Sequence, residues 1–191
     1  MEIKKENIIS AYNSADENGK RMLIALFGEE AVKQADKRPV TERVKTFQDA
    51  REAIGEDHKL CRAWRALSDD DAELAPDVEA YLELRIIAAA LNEGWKPQFT
   101  EDEWRWYPWF TLWTEEELSE MSDEWKADRH LISIGDYSGG YAGFACAFSN
   151  YSPSYTYTYI GSHLCFKSEA LATYCGKQFI SLWADFNLIK N

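Results

Sequence analysis

The sequence predicts one α+β domain in which N-terminal helices and a long central helix pack on a small, mainly antiparallel sheet. Two observations lead to this class. Apolar residues recur at helical spacing up to Gly94, whereas strand-like alternation is concentrated in the last third, which is rich in Gly, Ser and Tyr. At 191 residues, the chain is long enough to bury a core without disulfide or metal cross-links.

The first capped helix is predicted within "SADENGKRMLIALFG", after a helical turn or two through residues 8–12. Ser14 and Glu17 stand at the spacing of a capping box, and Gly28 is a stop signal. The apolar stripe of this helix consists of Met22, Leu23, Leu26 and Phe27.

Two further helices follow before the aromatic part of the chain. Thr46 is expected to cap a short helix that Gly55 closes. The clearest helix begins near Asp77 and ends at residues 92–94, and its apolar positions form a wide face, which predicts a central and well-covered helix. That face consists of Tyr81, Leu84, Ile86, Ile87, Ala88 and Leu91.

The segment "WKPQFTEDEWRWYPWF" concentrates aromatic residues and admits two interpretations. Its rings could form a platform for a sugar or a peptide, or they could seal the long helix to the sheet. We favour sealing for Trp95, Tyr107, Trp109 and Phe110. Trp104 and Trp106 alternate with Arg105 and are the better candidates for exposed binding residues, and Thr114 with Glu117 starts a short capped helix.

The C-terminal third predicts a β-hairpin followed by a helix. "GGYAGFACAFSN" and "SYTYTYIGSHLCFK" are its two strands, joined through residues 150–153, and Ser168 caps the last helix. In the first strand Phe144, Cys146 and Phe148 share a face. In the second, alternation places Tyr155, Tyr157, Tyr159, His163 and Cys165 on one side. The three tyrosines are the first choice for a binding patch, because Tyr beside Ser, Gly and Asn is typical of recognition surfaces.

Charge divides the domain into three parts. Residues 1–67, the helical N-terminal part, carry 12 acidic and 13 basic residues, and residues 131–191, the hairpin and last helix, carry 3 of each. Residues 68–130, with the central helix and the aromatic segment, carry 18 acidic and 5 basic residues. The net charge of −12 is therefore concentrated in the middle, which disfavours direct binding to nucleic acid.

The expected compartment is a cytoplasm. The longest aliphatic run, residues 86–91, is far shorter than the ~18 residues of a membrane span, and no apolar signal segment follows the N-terminus. The four cysteines form neither a CxxC pair nor a disulfide pattern, so reduced and buried thiols are expected.

The sequence offers weak candidates for chemistry and no cofactor motif. Two pairs of residues could each supply at most half of the ligands of a zinc site: His163 with Cys165, and His58 with Cys61. We therefore predict no metal. Glu169 and Asp185 could pair as acid and base, although Glu169 is better explained as a charge in the first turn of a helix. "GDYSGGYAGF" lacks the pattern of a phosphate loop. Because each of these candidates is weak, we assign no catalytic residue.

Three stretches together resemble a known protein family: "AYNSADENGKRMLIALFG", "ELRIIAAALNEGWKPQFTEDEWRWYPWF" and "IGSHLCFKSEALATYCGKQFISLWADF". The chain resembles an uncharacterised family carried by phages, prophages and mobile elements of gut anaerobic bacteria. In that family Gly-Trp-x-Pro leads to Tyr-Pro-Trp-Phe, and a Gly-Lys-Gln-Phe helix follows near the end. The resemblance implies genomic context and no activity, and His163 stands where Arg is commoner in the family.

The functional prediction is a noncatalytic interaction protein that binds a host or phage protein through an acidic and Tyr-rich surface. The alternatives are a virion or assembly component, a carbohydrate-binding module that uses Trp104, Trp106 and the three tyrosines, and an enzyme that depends on His163 or Cys165. A homo-oligomer is possible, and ordered self-assembly would favour the virion or assembly component.

Overall fold

The structure is a computed structural model that describes residues 3–29, 31–32, 38–68, 74–98, 100, 102–137, 139–153 and 162–190. The chain divides into two units, Met1–Glu42 and Arg43–Asn191. Within the described residues, helices pack on a three-stranded antiparallel sheet, which confirms the α+β class. None of the described helices is both long enough and apolar enough to cross a bilayer.

The first unit begins with helices α1 (Lys5–Ser14) and α2 (Glu17–Phe27). The predicted capping box of Ser14 and Glu17 is wrong, because Asp16 caps α2 by accepting a hydrogen bond from the Gly19 N–H at 2.8 Å. Ser14 instead ends α1, and its hydroxyl donates to the Ser10 carbonyl. The stop at Gly28 is confirmed by its φ of 81°, which favours glycine.

Among the described elements, those between residue 38 and the sheet are α3 (Val40–Arg43), α4 (Phe47–Ile54), α5 (Lys59–Ser68) and α6 (Pro76–Leu91). The predicted cap at Thr46 is confirmed, since Thr46 and Asp49 form a complete capping box. Gly55 ends α4 with φ of 87°. The start of α6 differs from the prediction, because Ala75 is its N-cap and Asp77 lies in its first turn.

Helix α6 lies at the centre of the second unit, as its wide apolar face predicts. It packs against α4, α5 and the last helix of the chain. Leu84, Ile86, Ile87 and Leu91 are fully buried. Burial of four such side chains is worth about 6 to 12 kcal/mol of transfer free energy, so this helix makes a large contribution to core stability.

The sheet contains β1 (Trp104–Trp113), β2 (Ile132–Ser133) and β3 (Gly143–Pro153) in the order β1-β3-β2. Two short helices, α7 (Glu115–Ser119) and α8 (Asp123–Asp128), connect β1 to β2. The predicted capping box of Thr114 and Glu117 is present at the start of α7. The sheet is followed by α9 (Glu169–Gln178) and α10 (Ile180–Asn187).

The predicted C-terminal hairpin is not confirmed. Its expected turn, residues 150–153, is wrong, because these residues continue β3 and pair with β1, with Asn150 opposite Tyr107. Residues 154–161 of the expected second strand lie outside the described residues, and Ser162–Leu164 form a 3-10 turn. Beyond that turn, Phe166 makes a single antiparallel bridge to Trp106 of β1. The aromatic strand β1 is thus the long antiparallel partner of β3.

The last predicted helix is divided into α9 and α10 at Phe179, whose backbone leaves the helical range with φ −113° and ψ 34°. The cap at Ser168 is confirmed, since its side chain accepts from the Leu171 N–H. Leu171, Cys175 and Phe179 are buried, and Leu182 and Phe186 of α10 are half-buried. The break allows α9 to pack on the sheet and α10 to reach α6.

Candidate interaction surface

One face of the sheet is closed by the last two helices. The Phe110 ring stacks on Phe144, with centroids 4.9 Å apart, and its centroid lies 5.2 Å from that of the fully buried Trp183 in α10. Gly176 of α9 approaches this face so closely that a Cβ atom there would lie 2.6 Å from Cys146 Sγ. This face is therefore part of the hydrophobic core.

The opposite face carries a stacked aromatic pair. Alternation along β1 directs Trp109 away from the side that Phe110 occupies, and Phe148 is its cross-strand partner. The two rings are almost parallel, with an interplanar angle of 5° and centroids 5.9 Å apart. Trp109 is half-buried, whereas Phe148 is 53% exposed. We call this pair the Trp109–Phe148 surface.

A β-bulge explains why the exposed ring was assigned to the wrong face. Trp109 pairs with Phe148, but the next residue, Phe110, pairs with Cys146, so Ala147 is an extra residue in β3. The predicted common face of Phe144, Cys146 and Phe148 is therefore wrong: the first two are buried and Phe148 points to the other side. A one-residue shift reverses every side chain beyond it.

Acidic helices border one end of this face. Leu118 of α7 lies over Gly143, where a Cβ atom would be 2.8 Å from its Cδ1, and Trp125 of α8 meets Trp113 edge to face at 5.3 Å. Trp113 is four residues from Trp109, or about 13 Å along the strand. Seven exposed acidic residues lie on these helices and the turn between them: Glu115, Glu116, Glu117, Glu120, Asp123, Glu124 and Asp128. We call this set the acidic border.

The other end of the same face is buried. Arg105 and Tyr107, which share the side of Trp109, are 0% and 2% exposed. The Tyr107 hydroxyl lies against the Cys165 thiol, and burial raises the pKa of Tyr107 to about 12 and that of Cys165 to about 11. Both groups stay protonated near neutral pH, so the thiol is a poor nucleophile.

The predicted binding residues fall in two places. Trp104 is 52% exposed and its ring lies 6.3 Å from that of Trp106, which is half-buried. By strand alternation these two rings point to the side opposite Trp109. Tyr155, Tyr157 and Tyr159 lie outside the described residues. Among the residues predicted to seal the core, Tyr107 is buried, while Trp95, Trp109 and Phe110 are half-buried.

Both histidine and cysteine half-sites have ordinary structural roles. His163 is exposed in the 3-10 turn while Cys165 is buried, so the predicted common strand face is wrong. His58 Nδ1 accepts a hydrogen bond from the Leu60 N–H, and burial together with Lys59 and Arg62 lowers the pKa of His58. Burial raises the pKa of the Cys61 thiol. Within the described ranges, no group of three His, Cys, Asp or Glu side chains is placed to hold a metal ion.

A cavity of about 540 Å³ lies where α6 begins and α10 ends. Its charged lining residues are Asp77, Asp185 and Lys190. Asp185 accepts from the Tyr137 hydroxyl at 2.6 Å and pairs with Lys190 at 3.3 Å, so its carboxylate already has two partners. Glu169, its predicted partner in acid–base chemistry, lies in the first turn of α9. The Asp185 carboxylate is therefore engaged in contacts within the fold.

No protein-family model, curated protein or solved structure matches this chain. Its function must therefore be inferred from the surface described above.

Proposed function

We propose that this chain is a noncatalytic interaction protein that binds a protein partner through the Trp109–Phe148 surface and its acidic border. The observation that supports it most is the 53% exposure of Phe148, whose ring stacks on that of Trp109. A large ring that is already ordered loses little conformational entropy when a partner covers it. Such rings, enclosed by polar residues, are typical centres of protein interfaces.

The acidic border indicates the chemistry of the partner. Seven exposed carboxylates on one edge favour a protein that places Lys or Arg around an apolar group. The attraction accelerates association and weakens as salt screens it, with a screening length of about 8 Å at physiological ionic strength. A nucleic acid, being negatively charged, does not fit this surface.

The proposed partner is a host or phage protein in the bacterial cytoplasm, in keeping with the resemblance to a family of phages and mobile elements. The predicted patch of Tyr155, Tyr157 and Tyr159 would add to the contact area if it adjoins the same partner. The binding role of these three tyrosines stays a prediction from the sequence.

The proposal can be tested by affinity capture from lysates of a bacterial host, with and without phage infection. Tagged wild type is compared with Phe148→Ala and with Leu67→Ala, a control on α5 whose side chain is 47% exposed. The partner should be recovered by wild type and control but not by Phe148→Ala. With the purified partner, Phe148→Ala should weaken the affinity roughly tenfold or more, and added salt should weaken it further.

Two results would argue against the proposal. A partner that Phe148→Ala binds as tightly as wild type would exclude the Trp109–Phe148 surface as the contact. Turnover of a substrate by the purified chain, lost on substitution of His163 or Cys165, would replace the noncatalytic function with an enzymatic one.

Glycan binding is a second candidate, favoured by the exposed indole of Trp104 beside Trp106. Indole faces stack on sugar rings, and their fluorescence changes when they do. Titration with a glycan panel should alter the fluorescence of wild type and not of Trp104→Ala. An unchanged signal across the panel would remove this candidate.

A further inference from the structure

The cavity of about 540 Å³ between the start of α6 and the end of α10 is large enough for a small molecule. Pockets that bind small ligands measure about 300 to 1,000 Å³ and combine an apolar lining with a few polar groups. The apolar lining here consists of Pro76, Phe186, Leu188 and Ile189. The charged lining residues are Asp77, Asp185 and Lys190. The cavity therefore has the composition of a ligand site.

Contacts within the fold set the shape of this cavity. Tyr81 of α6 stacks on Phe186 of α10, with ring centroids 5.7 Å apart. Beyond α10, the Leu188 N–H donates to the last turn of that helix, and Lys190 makes an antiparallel bridge to Tyr137. Because these walls are already joined, a ligand that enters pays little of the ordering entropy that binding usually costs.

The apolar part of the lining is open to contact. Phe186 is half-buried, and Ile189 is 77% exposed. A ligand with apolar substituents would remove this surface from water, which is favourable. The Phe186 ring adds a second preference, since the face of an aromatic ring attracts a cation.

Asp77 carries the charge in the cavity that the fold does not offset. Asp185 accepts from the Tyr137 hydroxyl and pairs with Lys190, so the charges of Asp185 and Lys190 offset each other. Asp77 is exposed and makes no hydrogen bond or ion pair with any of the described residues. The cavity thus keeps one carboxylate that a cationic ligand can reach.

The surroundings of the cavity are also negative. Asp77 and Glu79 lie in the first turn of α6, where they offset the positive end of the helix. Helix α10 ends at the cavity with its partly negative carbonyl end and has no basic residue in its last turn. Burial, and then the charges of Glu79 and Asp185, raise the pKa of the nearby Glu83 to about 7, so the carboxylates here already repel one another.

We propose that this cavity binds an organic ammonium ion, with its charge beside Asp77 and the Phe186 ring and its apolar substituents against Leu188 and Ile189. Aromatic faces and a carboxylate together are the usual surroundings of such ions in proteins. A metal ion does not fit, because it has no apolar part and the described residues provide no group of three ligands. The proposal is independent of the proposed function, because it involves no residue of the Trp109–Phe148 surface.

The test compares two small molecules of the same shape and different charge. Choline and its neutral carbon analogue, dimethylbutanol, are titrated into the full chain, and saturation-transfer NMR gives the affinity of each. Choline should bind roughly fivefold or more tightly than the alcohol, because only choline carries the charge. Equal affinities for the two molecules, or no binding of choline, would overturn the proposal.

Two variants locate the bound ion. Asp77→Asn keeps the shape of an exposed side chain and should weaken choline binding roughly threefold or more. Asp123→Asn is the matched control, since Asp123 is also exposed and lies in the first turn of α8, and it should bind choline like wild type. Phe186→Leu keeps an apolar side chain without the ring and should lessen the preference for choline over the alcohol. Choline binding that Asp77→Asn and Phe186→Leu both leave unchanged would also overturn the proposal.

Discussion

Asn92 fastens the end of α6 to the segment that contains Cys165. Its Nδ2 donates to the Cys165 carbonyl at 2.8 Å, and its Oδ1 accepts from the Lys167 N–H at 3.0 Å. Asn92 is only 6% exposed, so these backbone groups have little access to water. One amide side chain therefore satisfies two backbone groups 73 and 75 residues away in the sequence.

We predict that Asn92→Ala lowers the free energy of unfolding by about 2 to 4 kcal/mol, because it leaves a buried carbonyl and a half-buried N–H without partners. Urea denaturation followed by tryptophan fluorescence measures the loss. Asn187→Ala is the control, since Asn187 bonds only the carbonyl of Trp183 one turn earlier in α10. Equal losses for the two variants would show that the long-range bonds of Asn92 add no particular stability.

The bulge at Ala147 predicts opposite costs for two phenylalanines of β3. Phe144→Ala removes a fully packed ring and should cost about 3 to 5 kcal/mol. Phe148→Ala removes an exposed ring and should cost only about 1 kcal/mol, chiefly its stacking on Trp109. Without the bulge both rings would lie on one face and the costs would be similar, so denaturation of the two variants decides between the registers.

Local signals in the sequence predicted the helices well. Thr46 and Thr114 cap helices because a hydroxyl three residues before a backbone N–H suffices, and no distant contact is needed. The wide apolar face of α6 predicted its central position for a similar reason, since the distribution of apolar residues around a helix indicates which of its sides are buried. The cap at Asp16 was missed because Ser14, two residues earlier, offers the same chemistry.

The sheet was harder to predict because strand pairing depends on distant residues. β3 pairs with β1, whose paired residues lie 30 or more positions earlier in the chain, and the local sequence of β3 does not indicate that partner. The bulge at Ala147 cannot be seen in the hydropathy pattern, since Phe-Ala-Cys-Ala-Phe alternates without interruption across residues 144–148. The exposure of Phe148 could therefore not be predicted from the sequence.

Close packing at Gly176 predicts a specific loss of stability. A Cβ atom there would lie 2.6 Å from Cys146 Sγ and 2.8 Å from Pro108 Cβ, closer than atoms pack. Gly176→Ala should therefore cost about 1 to 3 kcal/mol as α9 moves away from the sheet, despite the helix preference of alanine. Gly140→Ala, where nothing lies within 4 Å of the added atom, should change stability by less than about 0.5 kcal/mol.

The double variant Gly176→Ala with Cys146→Ala tests the cause. Removing the sulfur of Cys146 makes room for the new methyl group at residue 176. Gly176→Ala should therefore cost less stability when Cys146→Ala is also present than when it is made alone. Strictly additive losses in urea denaturation would show that the contact with Cys146 is not responsible.

Glu83 of α6 has an unusual environment for a carboxyl group. Burial raises its pKa from 4.5 to about 7, and the charges of Glu79 and Asp185 act in the same direction. Arg51 of α4 opposes the shift and does not cancel it. The guanidinium of Arg51 is also engaged by Glu56, at 2.7 Å, and lies over the Trp64 ring at 4.6 Å.

This raised pKa predicts that Glu83 destabilises the fold at neutral and alkaline pH. Below pH 4.5 the carboxyl is protonated in both the folded and the unfolded chain, so it adds no pH dependence to the free energy of unfolding. Between pH 4.5 and about 7 the unfolded chain releases its proton while the folded chain keeps it, so the free energy of unfolding falls as pH rises. Above about pH 7 the free energy of unfolding no longer falls on account of Glu83, because the carboxyl is ionised in both states.

Glu83→Gln should abolish this dependence, because glutamine resembles the protonated acid and does not titrate. The variant should match wild type near pH 4 and exceed it by about 1 to 2 kcal/mol above pH 7, a difference limited by the solvent that reaches a half-buried side chain. Urea denaturation of both chains across this range gives the difference directly, and Glu116→Gln, an exposed residue of α7, controls for net charge. A difference between Glu83→Gln and wild type that does not change with pH would show that Glu83 titrates alike in the folded and unfolded chain.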